Sequence, residues 1–386
     1  MKKTEKLYET DGHLSAFDAK VLSCERTKDG YAVVLDRTAF FPEGGGQYPD
    51  RGVLGGRTVL DVQIREGIVL HTLDGSLEVG MTVHGEIDSA LRLRRMQNHT
   101  GEHIVSGIVH ALYGYDNVGF HLGDDGVTID FNGALTREQL LEVERLANIA
   151  VYRNMSVTVS YPTSKELSRL AYRSKLDLTE DVRIVTIGDV DCCACCAPHV
   201  SKTGEIGEIK LLDFIKYKGG IRLQMLCGED ARCDHHARYL ATAAVSQLLS
   251  VKQNEIEDGV RRMCAREETL KGEIRSLKLR LLEARVNGLS YTDGNRVLLE
   301  PSADMELLRE LANRAVGLAG GVTVVLAGDD ASGYRYVIAS RSTALRSAAG
   351  EINSSLNGRG GGTDEMVQGS FLTSYASIEA FFANDL

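Results

Sequence analysis

His99 and His103 stand four residues apart in the segment His99-Thr-Gly-Glu-His103. On a helix that spacing turns two imidazoles to one face, within reach of a single metal ion. The segment also fits H-x-x-E-H, a zinc-peptidase pattern whose carboxylate, here Glu102, is the general base. Helical spacing turns Glu102 away from the face that the two histidines share, so no general base is assigned. Further along stands Cys192-Cys-Ala-Cys-Cys-Ala-Pro-His199. Cys195 and His199 repeat the four-residue spacing, but Pro198 argues for a loop rather than a helix. Such a loop would complete a tetrahedral set with His99 and His103, and mixed nitrogen and sulfur donors favour Zn²⁺. Redox-active or buried structural cysteines are the alternative. Four protein ligands normally close a structural site, whereas catalysis needs an open position. Either one ligand is displaceable, or the metal positions substrate while another group activates water.

The run Thr38-Ala-Phe-Phe-Pro-Glu-Gly44-Gly45-Gly46-Gln47-Tyr-Pro-Asp50 is the most distinctive in the chain. Three successive glycines let backbone amides come close to another group, and Gln47 and Asp50 could bond it. A plain hairpin turn is the alternative. Asp234-His235-His236, beside Cys227 and Cys233, would allow a second metal site but reads as a surface link and is given no role. His110 and His121 read as packing residues.

These groups need elements to position them, and the expected class is α+β. Short alternating runs at Tyr31–Leu35, Val53–Leu54, Val59–Val62, Gly67–Leu70 and Met81–Val83 predict a small N-terminal β-barrel or sandwich over residues 1–90. A helix over Ala90–Tyr113, strands near Phe120 and at Val127–Phe131, and a helix capped by Thr136 and running to Arg153 open an α+β zinc domain over 91–230. Residues 236–287 lack proline and carry a heptad: Ile256, Val260, Met263, Glu267, Leu270, Ile274, Leu277 and Leu281. That predicts one long helix, either packed on its own protein or paired as a coiled coil. Residues 290–386 predict a small α/β domain, with strands at Arg296–Leu299, Val322–Leu326 and Tyr336–Ala339 and helices at Asp304–Val316 and Thr343–Leu356.

With 386 residues, 43% apolar and 25% charged, the chain has an ordinary globular composition and the length of two or three domains. It has no apolar run of the ~18 residues that a membrane helix needs, and its polar start lacks the features of a signal peptide, so the cytoplasm is expected. There, the eight cysteines point to metal or free thiols rather than a disulfide frame. A net charge of −10 demands that any polyanion partner meet a regional basic surface. Lys216, Lys218 and Arg222, with Arg359 inside a glycine-rich loop of the acidic final domain, offer such a path; a solvated face is the alternative.

In combination, the Phe-Pro-Glu-Gly-Gly-Gly-Gln loop, the HxxxH helix, the CxxxH loop and Thr203-Gly-Glu-Ile-Gly207 resemble the alanyl-tRNA editing proteins, the AlaX family, and the editing domain of alanyl-tRNA synthetase. The likeness covers about residues 25 to 225. Gly358-Arg-Gly-Gly-Gly-Thr-Asp-Glu-Met-Val-Gln-Gly369 resembles the glycine-rich loop of the synthetase's C-terminal domain, as in the long form of the family. The chain departs from the family at Cys196-Ala-Pro198, where Gly-Gly-Thr is frequent.

The resemblance implies zinc-dependent hydrolysis of the ester joining serine, or glycine, to the terminal ribose of alanine tRNA. It implies zinc on His99, His103, Cys195 and His199. Thr38, Gly44, Gly45, Gly46, Gln47 and Gln97 would lie at the amino-acid pocket, where a bonded hydroxyl would separate serine from alanine. Editing sequence begins almost at once, so action in trans on tRNA charged elsewhere is expected, by a homodimer joined through the long helix and last domain. A zinc metallopeptidase would explain residues 99–103 alone, and a non-catalytic RNA-binding module with structural zinc would leave the glycine turn idle.

Overall fold

The computed structural model describes residues 2–123, 126–174 and 182–383. The chain forms two compact units, residues 1–244 and 245–386, and its class is mixed α and β.

In the first unit six strands close into a ring: β1 (Ala16–Thr27), β2 (Gly30–Leu35), β3 (Gly52–Leu54), β4 (Arg57–Arg65), β5 (Ile68–Leu73) and β6 (Thr82–Ile87), in the order β1-β2-β5-β4-β3-β6. Closure leaves no unpaired edge. Alternate residues point inward, so Val33, Leu35, Val62, Val69 and Leu73 fill the interior.

Helix α1 (Ser89–Tyr113) follows directly, capped by Asp88 accepting from the Leu91 amide at 2.9 Å and ended by Gly114 at φ 68°. Every residue from Asn98 to Val109 is buried, polar ones included. A helix enclosed on all sides needs close neighbours, and Gly107 permits one: a Cβ there would lie 2.5 Å from the Val190 carbonyl. Arg92, at the start of α1, ties the helix to the barrel. Its guanidinium donates to Asp50 and to the carbonyls of Gly12 and Ala39, at 2.8 and 2.7 Å for the carbonyls.

Two sheets flank α1. One has the order β12-β13-β8-β7, from β7 (Asn117–Gly123), β8 (Gly126–Phe131), β12 (Ile209–Tyr217) and β13 (Gly220–Cys227). Its inner face packs on α1 and on α2 (Arg137–Tyr152), which begins with the Thr136/Gln139 capping box. The other comprises β9 (Val157–Ser160), β10 (Ile184–Ile187) and β11 (Asp191–Ala194). Pro198 lies in irregular backbone, as its ring requires.

The single long helix expected over 236–287 is corrected to two: α3 (Gly228–Leu249) and α4 (Ile256–Asn287). The chain breaks at Ser250, at φ 53°, where Ser246 Oγ donates to the Val251 carbonyl. Gly259 lets the turn close, since a Cβ there would sit 3.2 Å from Leu249. The heptad belongs to α4 alone. Its seam is not covered, with Met263 55% and Leu281 74% exposed, while Leu282, one position on, is buried against the second unit's core.

That core lies on a five-stranded sheet of order β14-β15-β16-β18-β17: β14 (Arg296–Leu299), β15 (Thr323–Asp329), β16 (Gly333–Ala339), β17 (Gly358–Gly362) and β18 (Met366–Phe371). Helices α5 (Met305–Ala315), α6 (Leu345–Ser355) and α7 (Tyr375–Phe382) pack with it. The glycine-rich loop expected at 358–369 is a strand pair, with Gly360 opposite Gly369. A Cβ at Gly360 would lie 2.3 Å from both the Gln368 carbonyl and the Tyr336 hydroxyl. Gly360 is therefore required by close strand packing.

Candidate metal centre

His99, His103, Cys195 and His199 come together, with one potential ligand atom from each lying within 4.8 Å of the others. Helix α1 supplies the first two from one face. The other two come from the loop after β11, held by Arg183 Nη1 donating to the carbonyls of Cys195 and Ala197 at 2.8 and 2.9 Å. Cys195 Sγ is 3.5 Å from His99 Nε2 and 3.3 Å from His199 Nε2. A tetrahedral zinc with bonds of about 2.3 Å to sulfur and 2.0–2.1 Å to nitrogen spaces such atoms about 3.6 Å apart. The donor set fits.

Each imidazole is turned by a partner on its other nitrogen. His99 Nδ1 donates to Gln47 Oε1 at 2.8 Å, and His103 Nδ1 to Asp191 Oδ2 at 3.0 Å. His199 Nδ1 shares a hydrogen bond with Thr100 Oγ1 at 3.0 Å. All three Nδ1 atoms being engaged, the Nε2 atoms are free to act as ligands. Asp191 is itself gripped by Arg173, Nε to Oδ1 at 2.7 Å and Nη2 to Oδ2 at 2.9 Å.

Burial alone would raise the Cys195 thiol, but the three surrounding histidines hold it well below its ordinary value, as a thiolate ligand needs. Burial likewise opposes charge on His103, yet the Cys195 thiolate and Asp191 push it well above the usual histidine range. His199 is carried down to about 4 by burial. Thiolate, carboxylate and imidazole thus balance charge in a nearly closed space. His103, Asp191 and Cys193 form a second, overlapping group of ligand atoms, although burial raises the Cys193 thiol to about 11.

The glycine turn reaches this centre. Gly45 and Gly46 adopt φ of 60° and 83°, and a Cβ at Gly46 would strike the Phe120 carbonyl at 2.4 Å. The turn docks on β7 through the Leu122 amide donating to the Gly46 carbonyl at 2.8 Å, which sends Gln47 to His99. Phe120 walls the same side, its ring 4.8 Å from that of His99. Gln47 Nε2 is buried without a hydrogen-bond partner among the described residues.

Other residues singled out in the sequence lie elsewhere. Thr38 is inside the barrel, its hydroxyl 2.9 Å from His71 Nε2 and accepting from the Phe40 amide. Gln97 donates to the Glu205 carbonyl at 2.8 Å, towards the Thr203–Gly207 segment. Glu102 is buried and accepts from Ser106 Oγ and Asn117 Nδ2. Its pKa is lowered although burial would raise it, with His103 and His99 stabilising the carboxylate. Lys216 and Lys218 are exposed on the β12–β13 hairpin, Arg222 pairs with Asp130 at 2.7 Å, and Arg359 is exposed on β17. His110 pairs with Asp116 and His235 with Glu208, both away from the cluster.

Sequence reasoning missed Asp191, Arg173, Arg183 and Thr100. Two carried a signal, Thr100 beside the first histidine and Asp191 heading the cysteine run. The two arginines had none, because their partners are contacts of the folded chain.

Residues 182–263 match the family model of the threonyl and alanyl tRNA synthetase second additional domain, and residues 7–91 match that of the tRNA synthetases class II (A). The alanine–tRNA ligase of Halobacterium salinarum is 33% identical over 359 residues, covering 87% of this chain and 38% of the ligase. That of Halorubrum lacusprofundi is 32% identical over 378 residues, covering 93% of this chain and 40% of the ligase. The chain therefore spans about two fifths of the length of these ligases. The alanyl-tRNA editing protein AlaX-L of Pyrococcus horikoshii is 31% identical over 389 residues, covering 95% of this chain and 94% of that protein. With both chains matched over nearly their whole length, this chain belongs to the alanyl-tRNA editing family in its AlaX-L form.

Proposed function

We propose that the chain is an aminoacyl-tRNA hydrolase acting in trans, in the cytoplasm, which removes serine, or glycine, from mischarged alanine tRNA. Zn²⁺ would be held by His99, His103, Cys195 and His199. The observation that carries this reading is the convergence of three Nδ1-anchored imidazoles on one thiolate. Kinship with a protein named for alanyl-tRNA editing supplies the substrate class.

A bound zinc would supply electrophilic polarisation of the ester carbonyl or a more acidic water. The chain's own residues do the rest. Gln47 turns His99 with its oxygen and keeps an unpaired Nε2 donor beside the cluster. That buried donor bonds the serine hydroxyl, and alanine would leave it unpaired, the kind of loss from which strong discrimination comes. The glycines of the turn let its backbone press against Phe120, which holds Gln47 against His99. Glu102 is committed to Ser106 and Asn117 and is assigned no proton transfer. Residues 1–90 and 91–230 form the editing portion in this reading. The exposed Lys216, Lys218 and Arg359 meet tRNA phosphates, Arg222 acts beside them, and the working unit is a homodimer joined through α4 and the last domain.

The test is release of amino acid from serine-, glycine- and alanine-charged alanine tRNA by wild type and by Cys195→Ala. Expected are rapid serine release, spared alanine, and a fall of at least a hundredfold in the variant together with its zinc. Zinc-loaded wild type that releases none of the three would overturn the reading.

A further inference from the structure

The four-stranded sheet has a second face that the metal centre does not use. Leu122, Val127 and Met225 point inward and are buried, so their neighbours His121, Thr128 and Gln224 point outward. The register puts His121 opposite Thr128 and Thr128 opposite Gln224, which makes one polar row across three strands. Tyr48 stands at the end of that row, 37% exposed, its ring edge-on to His121 at 5.3 Å between centroids. Together they line a groove of about 430 Å³, within the range of small-ligand sites. Gly123, Gly126, Leu212 and Leu226 line it as well.

Tyr48 directly follows Gln47, whose side chain bonds a metal-cluster histidine. His121 directly follows Phe120, whose ring packs on that same histidine. The groove and the centre are therefore one residue apart along two separate segments, on either side of the sheet edge that the glycine turn covers. Whatever is held in the groove lies next to whatever is being hydrolysed.

We infer that this groove holds an unpaired nucleotide of the tRNA 3′ end, immediately preceding the aminoacylated adenosine. The inference rests on the deacylase reading above. Aromatic faces flanked by amide and hydroxyl groups are what a single-stranded base needs, for stacking and for edge hydrogen bonds. Duplex RNA would instead call for a field of unpaired cations. Among the described residues on this face, Arg222 is paired with Asp130 and lies over Tyr217, 3.9 Å from the ring centroid. Stacking rather than charge then carries the contact, and it depends little on salt.

The experiment compares Tyr48→Ala and Tyr48→Phe with wild type on two substrates, serine-charged alanine tRNA and the seryl ester of adenosine, which lacks preceding nucleotides. Zinc content is measured throughout. A third arm follows fluorescence of a single-stranded RNA ending in CCA, with 2-aminopurine before the terminal adenosine. Tyr48→Ala should raise KM on the charged tRNA by roughly five- to a hundredfold more than on the minimal ester, with zinc retained and with Tyr48→Phe close to wild type. Wild type should quench the 2-aminopurine and Tyr48→Ala should not. Equal effects on both substrates would reduce Tyr48 to a prop of the glycine turn and overturn the inference, as would no effect on either. If wild type hydrolyses neither substrate, the deacylase reading fails by itself, and quenching alone decides the groove: quenching lost in Tyr48→Ala upholds it, and quenching absent or unaltered overturns it.

Discussion

Gln47, Thr100 and Asp191 hold the three histidines with three chemistries, an amide, a hydroxyl and a carboxylate. Asp191 has the most consequence, because it is charged, buried and fixed by Arg173. Burial works against its ionisation, yet hydrogen bonds from His103 and Arg173 keep its pKa below the ordinary value. Asp191→Asn keeps the size of the side chain and removes the charge that makes His103 a better donor to metal. Partners of this kind are worth roughly 10- to 100-fold in metal affinity. Chelator-competition titration should show that loss for Asp191→Asn, while affinity within twofold of wild type would mean that the carboxylate serves only Arg173. At this scale all four candidate ligands were legible in the sequence, since pairs at four-residue spacing are local. Their supports were not, with 88 residues separating His103 from Asp191.

Among the elements, the barrel carries its own titrating group. His71 on β5 is enclosed, with Nδ1 at 3.2 Å from the Val33 carbonyl and Nε2 on Thr38. Burial pushes its pKa down to about 4, against the opposing pull of the Val33 hydrogen bond. The unfolded chain titrates near 6.5, so between those values it binds a proton that the native barrel refuses. Stability from this group is complete above pH 6.5 and is lost as pH falls towards 4. His71→Gln keeps a polar partner for Thr38 and does not titrate. Between pH 7 and pH 4.5, urea unfolding should cost wild type about 2–3 kcal/mol more than the variant. Parallel pH profiles would show that His71 charges without penalty. The strands and α1 follow from periodicity; the break before α4 does not, because Ser250 and Gly259 turn the chain through contacts of its folded form.

For the whole molecule, the exposed seam of α4 is the feature most in need of a partner. Val260, Met263, Leu270, Ile274, Leu277 and Leu281 recur at heptad spacing, and all six are more than a third exposed. A second copy of α4 would bury them, which supports the homodimer. Light scattering at micromolar concentration should give twice the chain mass for wild type and a single chain for Leu270→Glu combined with Leu277→Glu. A monomeric wild type would rule the pairing out.

Much of this protein is written locally. The HxxxH spacing, the glycine turn, the Thr136 cap and the heptad each depend on neighbours within a few residues, and each can be read without knowing where the chain goes. Folding then decides which of these local features meet. It sends Gln47 to His99, shuts Thr38 into the barrel against His71, and turns Gln97 towards Glu205. It makes the Gly358–Gly362 segment a strand, and only the approach of Gln368 and Tyr336 reveals why Gly360 carries no side chain. The row from Tyr48 to Gln224 exists only in register, since strand pairing gathers residues 176 positions apart onto one face. Spacing along the chain specifies which groups can share a helix face or a turn, while long-range packing and hydrogen bonding specify which of them share a site.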